Sequence, residues 1–227
     1  MQLTIIIPTL NERTGLPTIV AAALALRPQE ILVVDGGSTD GTREWIQLQA
    51  GLRLIDSVRG RGPQLNAGAR SALGDVLLFL HADCLPPPDT TAAIDSVLQN
   101  ANSAGGCFSV RFAERRPWSL RLVAKVINWH SRAFRYATGD QAIFVRRAIF
   151  DSVDGFPDWP LFEDVEFVRR LNQKGRFVVL RSSVTLSARR WLARGVWRTS
   201  FLMLALFAGY RVGIPASRLK AWYSDVR

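Results

Sequence analysis

Val76-Leu77-Leu78-Phe79-Leu80 is an unbroken apolar run bounded by polar residues. It is too short for a buried helix and lacks the alternation of a strand with one wet face, so it reads as a strand covered on both sides. That reading constrains the rest of the chain, because a sheet buried on both faces is built from parallel strands joined by crossover helices. The first half supplies the parts in order. Residues 3–7, 30–34 and 52–56 read as strands, residues 16–26, 42–49 and 64–73 as helices, and residues 76–80 as the fourth strand. With 227 residues, 48% of them hydrophobic, the chain can fill one α/β domain.

The second half changes character. Residues 105–112, 141–145 and 177–180 read as strands, residues 117–134 as an amphipathic helix, and residues 164–173 as a helix stopped by Gly175. A strongly apolar helix follows over residues 192–210. No repeat or long linker marks a boundary, so one domain is expected over residues 1–190, with a nucleotide-binding half of about 1–100 and an acceptor half of about 101–190. Residues 191–227 form a helical extension of it.

Cys84 and Cys107 have no CxxC spacing and no Cys/His cluster, which excludes a disulfide scaffold and a structural zinc site and fits a reducing cytoplasm. The apolar run before Pro8 is too short for an export signal. A net charge of +10 attracts polyanions, but the basic residues concentrate from Arg111 onward and no aromatic-basic RNA signature occurs, so no nucleic-acid partner is expected.

Polar residues gather at strand carboxyl ends, where open α/β sheets bind ligands. The Asp35-Gly36-Gly37-Ser38-Thr39-Asp40 turn brings a carboxylate and accessible backbone to a ligand, or is an ordinary turn with Ser38 or Asp40 capping the next helix. It is neither a P-loop nor a GxGxxG loop. In His81-Ala82-Asp83, Asp83 is suited to a hard divalent cation that also bridges a diphosphate. His81 is suited to hydrogen-bonding a phosphate or ribose, or to a structural role, more than to ligation. Glu163, Asp164 and Glu166 open a helix, where acids either complement the helix dipole or present a general base to a hydroxyl.

The ordered set Ile5-Ile6-Ile7-Pro8-Thr9-Leu10-Asn11-Glu12, Val34 to Thr42, Asn66-Ala67-Gly68, Asp83 and Glu163-Asp164 resembles the inverting family 2 glycosyltransferases of GT-A fold, from residue 3 to about residue 191. Phe79-Leu80-His81-Ala82-Asp83, Gly139-Asp140-Gln141-Ala142-Ile143-Phe144 and Glu163-Asp164-Val165-Glu166-Phe167 resemble the bacterial selenodomain- or arsenosugar-associated subgroup. The resemblance implies a Rossmann-like domain with a mostly parallel sheet, a nucleotide-diphosphate sugar donor, a hydroxyl acceptor and Mg²⁺ or Mn²⁺. It implies that Pro8, Glu12, Asp35, Arg61, Asn66 and His81 surround the nucleotide, Asp83 holds the metal, and Asp164 with Glu163 supplies the base. The family's Asp-x-Asp has lost its first acid, which is His81 here. Ser187-Ala188-Arg189-Arg190-Trp191 resembles the Gln-x-x-Arg-Trp of processive members, so Arg190 would face the leaving diphosphate and Trp191 the acceptor, unless they are a surface arginine and a core tryptophan. A nucleotidyltransferase of similar fold and a sugar-nucleotide-binding protein without turnover are the alternatives.

Residues 199–210 carry no charge, but Arg198 and Arg211 bracket them well short of the ~20 residues a spanning helix needs. Trp118, Leu122, Val126 and Trp129 fall on one face of the 117–134 helix, and Arg121, Lys125 and Arg132 on another. That pattern suits an anionic membrane surface or a lipid-linked acceptor, and a cytoplasmic protein peripheral to the membrane. Packing of both helices as core is the other outcome.

Overall fold

Alternation along a strand decides which side of a sheet each residue feeds. The structure is a computed structural model and describes residues 1–114 and 117–223, apart from the side chain of Arg190. Along β1 (Leu3–Thr9), Leu3, Ile5 and Ile7 enter one core and Ile6 enters another. Along β2 (Glu30–Asp35), Ile31 and Val33 separate from Leu32 and Val34, and along β4 (Val76–Phe79), Val76 and Leu78 separate from Leu77 and Phe79. The apolar runs are therefore continuous because both faces are covered.

Helix α1 (Leu16–Ala25) closes the first core with Leu16, Ile19, Val20 and Ala23, the i, i+3, i+4, i+7 positions of one face. Helix α4 (Thr90–Leu98) joins it through Ile94 and Leu98. The second core lies under α3 (Arg61–Ser71), through Leu65, Ala67 and Ala69, and under α7 (Glu163–Lys174), through Phe167, Val168 and Leu171.

The remaining strands are β3 (Leu52–Asp56), β5 (Cys84–Leu85), β6 (Ser103–Phe112), β7 (Ile143–Arg146) and β8 (Arg176–Leu186), and the sheet order is β3-β2-β1-β4-β7-β6-β8-β5. β3, β2, β1 and β4 run parallel, as do β6 and β8, whereas β7 is antiparallel to both neighbours and β5 to β8. The chain builds outward from β1 to β2 and β3, then returns to place β4 on the other side. The order reverses between β1 and β4, and the carboxyl ends of strands at such a reversal are where sheets of this kind bind their ligands.

Several elements differ from the sequence reading. β1 runs on through Pro8, paired with Val34, because a proline needs no ladder donor on its own nitrogen there. α3 starts at Arg61, and β8 extends to Leu186 through a polar stretch the hydropathy pattern does not show as strand. Residues 139–141 form a 3₁₀ turn, so the strand begins at Ile143. α4 and α6 (Arg147–Ser152) are not expected from the sequence, whereas α10 (Ala216–Trp222) falls within the expected helical extension. The 192–210 helix is instead two, α8 (Arg189–Arg194) and α9 (Val196–Arg211), broken where Gly195 takes φ 87°. Gly175 does follow α7, but at φ 166°, so it is extended rather than a left-handed cap. Close packing explains the glycine: a Cβ there would lie 2.7 Å from the Asn102 carbonyl oxygen. Residues 224–227 of the expected extension lie outside the described residues.

Candidate active site

The loops after β1 and β2 are stitched to each other. Asn11, at φ 57°, donates its N–H to Ser38 Oγ (2.9 Å) and accepts from Thr39 N–H at Oδ1 (2.8 Å). The Arg13 and Glu12 N–H groups donate to Asp40 Oδ2 and Thr42 Oγ1, both at 3.1 Å. Asp40 also accepts from the Thr42 N–H at the start of α2 (Thr42–Gln47), but the capping position itself is Gly41, at φ 84°, so neither Ser38 nor Asp40 is the N-cap. Beneath both loops the buried Gln64 donates from Nε2 to the carbonyls of Thr9 and Val34, 2.8 Å each, tying the two strand ends together. Gln64 does not stand out in the sequence, and Asn11 does so only as part of the Ile5 to Glu12 motif, since each acts on groups brought near only by the fold.

Asp35 lies at the end of β2 with no exposed side-chain surface. It accepts from the N–H groups of Gly37 and Ser38, 2.9 Å each, and from Ser38 Oγ, with Arg43 Nη1 at 3.5 Å. Arg43 also pairs with Asp56, the neighbour of Asp35 on β3, and so separates two adjacent carboxylates. Reading a base edge would require Ser38 to turn away from Asp35. Pro8 is buried in β1 and Glu12 half-buried in the loop that follows it. Asn66 commits its amide to one loop: Nδ2 donates to the Phe156 carbonyl (2.8 Å) and Oδ1 accepts the Phe156 N–H (2.9 Å). It anchors the 155–157 segment rather than presenting a free amide.

Helix α7 follows directly on Phe162, held at φ 64°, and buries Glu163 and Asp164 in its first turn. Asp164 Oδ2 accepts the Gly139 N–H at 2.6 Å, and Oδ1 accepts the Val165 N–H at 2.7 Å. Burial, and then the neighbouring Glu163 carboxylate, push Asp164 up to about 7, against the opposing pull of the Gly139 N–H and Arg61. Asp140 is also raised, first by burial, with Asp164 and Asp83 adding to it and the Thr138 hydroxyl opposing. Arg61 opens α3 with much of its surface in solvent. Desolvation of its head lowers its pKa, but the charges of Glu163, Asp164 and Asp83 together hold it above the usual value. The remaining acid, Glu166, is not available as a base: it pairs with Arg169 (2.7 Å) and Arg170 (3.0 Å) and accepts from the Tyr210 hydroxyl (3.3 Å).

His81 is buried behind Gly139. A Cβ on Gly139 would lie 2.5 Å from His81 Nε2 and 3.4 Å from Asp164 Oδ2, so this glycine lets the imidazole and the carboxylate flank one backbone amide. Gln141 fixes that amide's turn: its Oε1 accepts the Thr138 N–H and its Nε2 donates to the Phe108 carbonyl. Asp83, by contrast, is exposed at the end of β4. Among the described residues no three His, Cys, Asp or Glu side chains gather closely enough to cage a metal. An exposed hard carboxylate that leaves other positions to substrate oxygens and water still fits a magnesium-type ion.

The family model described as Glycosyl transferase family 2 matches residues 4–151, which hold the strand-end loops, the Asp83 carboxylate and the Gly139 turn. The chain belongs to glycosyl transferase family 2. A curated relative, the undecaprenyl-phosphate 4-deoxy-4-formamido-L-arabinose transferase of Aeromonas hydrophila, is 26% identical over 148 residues, which is 60% of this chain and 44% of that protein. The chain thus spans a little under half the length of that relative. Among solved structures, the mannosyltransferase PcManGT of Pyrobaculum calidifontis, in complex with GDP-Man and Mn²⁺, superposes with a TM-score of 0.70 at 21% identity, covering 90% of this chain and 62% of that one. S. aureus TarS 1-349 in complex with UDP-GlcNAc gives 0.63 at 20%, covering 83% and 59%. These likenesses establish the α/β fold of GT-A glycosyltransferases.

The Arg190 side chain lies outside the described residues. Trp191 packs edge-on to Phe112, centroids 5.6 Å apart, beside the small core of Leu120, Val123, Ala188 and Val196. That is the packing role open to it in the sequence, although the indole is only partly buried. The Gly139 geometry makes a direct prediction. Gly139→Ala should displace His81, cost ~1–3 kcal/mol by overpacking, and loosen the Asp164 carboxylate. A melting temperature and donor-dependent turnover both equal to wild type would show that the close contact is not needed.

Proposed function

We propose that the protein transfers a sugar from a nucleotide-diphosphate donor to a hydroxyl acceptor with inversion, residues 1–100 holding the donor and residues 101–190 the acceptor. The observation that carries this reading is Asp164: a buried carboxylate poised near neutrality, fixed by the Gly139 amide, whose charge acts on Arg61 at the start of α3 together with those of Glu163 and Asp83. A base with a pKa near the working pH is the most effective at taking a hydroxyl proton. The acceptor oxygen would lose its proton to Asp164 as it attacks the anomeric carbon from the side opposite the diphosphate. Glu163 keeps that pKa high, and Arg61 offsets the acidic field around it. The backbone around Asp35, Glu12 and Pro8 would hold the nucleoside, with His81 toward the phosphates. Asp83 would hold Mg²⁺ or Mn²⁺, which when bound neutralises charge on the departing diphosphate. Arg190 would add to that neutralisation, and Trp191 would border the acceptor.

The subgroup resemblance at His81 and Gly139-Asp140-Gln141 supports a selenodomain- or arsenosugar-associated type of transferase. The lipid-phosphate substrate named in the Aeromonas relative supports a lipid-linked acceptor. Incubation with UDP-, GDP- and dTDP-sugars plus Mn²⁺ tests the reaction class. Release of free nucleoside diphosphate is expected with at least one donor. Pyrophosphate instead would make the protein a nucleotidyltransferase, and tight donor binding with neither product would make it a binding protein, consistent with the acid missing at position 81.

A further inference from the structure

The net positive charge of this chain comes from two segments. Residues 117–139 and 189–223 contain no Asp or Glu and hold four and seven Arg or Lys, so the rest of the chain, with 18 basic and 19 acidic residues, is nearly neutral. The two segments form one surface. Helix α5 (Trp118–Phe134) turns Leu120, Val123 and Ala124 inward and packs against α9. Its outer stripe leaves Trp118 66% and Trp129 64% exposed, with Leu122 and Val126 between them. α9 repeats the pattern, burying Val196, Thr199 and Leu206 while Phe201 and Leu204 stay 68% and 65% exposed. Trp118 and Trp197 meet edge to face at 6.2 Å, which joins the two stripes.

We infer that this face docks on an anionic lipid bilayer, with the tryptophans, Leu122, Phe201 and Leu204 entering the headgroup boundary and Arg121, Lys125, Arg132 and Arg198 reaching the phosphates. Two observations select that occupant. All the surplus charge lies around the apolar stripe, as an interfacial helix pair requires. The stripe alternates tryptophans and Phe201 with Leu122, Val126 and Leu204, the mixture of amphipathic aromatic and aliphatic side chains that suits the headgroup boundary. No helix among the described residues is long and apolar enough to cross a membrane, so the helices lie in the interface. Their inner side reaches the start of α7: Phe207 and Tyr210 of α9 pack on Phe162, the residue that opens α7 before Glu163 and Asp164, and Phe207 also meets His130 of α5. A docked molecule would carry its base carboxylate close beneath the lipid surface.

The experiment is sedimentation of the purified full chain with vesicles of phosphatidylcholine alone or of equimolar phosphatidylcholine and phosphatidylglycerol. It reads binding without turnover, so its failure is separate from failure of the transferase reading. Co-sedimentation is expected only with the anionic vesicles, and high salt should reverse it. The exposed pair Arg121→Gln/Lys125→Gln should weaken binding by about 25-fold, roughly fivefold per charge, and Phe201→Ser/Leu204→Ser by about tenfold or more, both with unchanged melting temperature. Absence of binding, equal binding to neutral vesicles, or indifference to the Phe201/Leu204 pair would overturn the inference. So would a dimer that the Phe201/Leu204 pair dissociates, or RNA binding as tight as vesicle binding.

Discussion

Asp164→Asn is expected to lower turnover by about 10²–10⁴-fold while leaving the affinity for donor within a few-fold of wild type. The substitution removes the basic carboxylate but keeps one oxygen that can still accept the 2.6 Å hydrogen bond from the Gly139 amide. Its amide nitrogen then faces the Val165 N–H, so a modest loss of stability, ~1–2 kcal/mol, should accompany the kinetic effect. The pH dependence has a definite sign. Burial and Glu163 raise Asp164 to about 7, so in wild type the base is protonated and idle in acid, and the rate should climb as pH rises through about 7. Folding responds in the opposite sense. A carboxyl raised above its unfolded value stabilises the fold below that value, and the contribution fades as pH rises from about 4 through about 7, when a buried charge must form. Single-turnover rates across this range check the first statement and melting temperatures the second. An acceptor that is already an anionic phosphate needs no base. Near-normal turnover in Asp164→Asn, with a flat acid limb, would therefore replace the hydroxyl acceptor by a phosphate.

The parts of this molecule that were legible in advance are those in which one residue type has one use. Val76 to Phe79 is a strand buried on both sides because nothing in it can face water, and β3 has the expected bounds, 52–56. The strand-end loops follow from the same logic, since polar residues after apolar runs must emerge at the sheet's edge. What escaped the reading depends on partners distant in sequence. β8 runs on past Val179 because its pairing with β6 resumes at Ser183, across an irregularity at residues 180–182, not because its residues favour a strand. Gln64 and Asn66 sit two residues apart on opposite sides of α3 and look alike on paper. The first ties β1 to β2 and the second holds Phe156, 90 residues away. The Gly139 amide, the group that fixes the proposed base, carries no side chain to read at all. Glu166 shows the converse: three acids in one helical turn look equivalent, and only the arrangement of Arg169, Arg170 and Tyr210 removes one of them from the chemistry.

Asp83→Ala should abolish the metal-dependent part of donor binding while leaving the unliganded protein as stable as before. Asp83 is exposed at the end of β4, so truncating it removes no packing and should change the melting temperature little. The other acids of the candidate site are poor substitutes. Asp164 is held by two backbone amides, Asp140 is bonded by Thr138, and position 81 supplies an imidazole in place of a carboxylate. With wild type, Mn²⁺ and a cognate nucleotide sugar at about 100 times Kd should stabilise the fold by ~2.7 kcal/mol, about 5–10 °C for a chain of this size. Neither ligand alone should match that, because a cation with a single protein carboxylate completes its shell with substrate oxygens. In Asp83→Ala the extra shift from adding Mn²⁺ to the nucleotide sugar should vanish, leaving only what the nucleoside loops provide. An unchanged Mn²⁺-dependent shift in that variant would remove Asp83 from the metal site and leave the acids around Arg61 to be tested in its place.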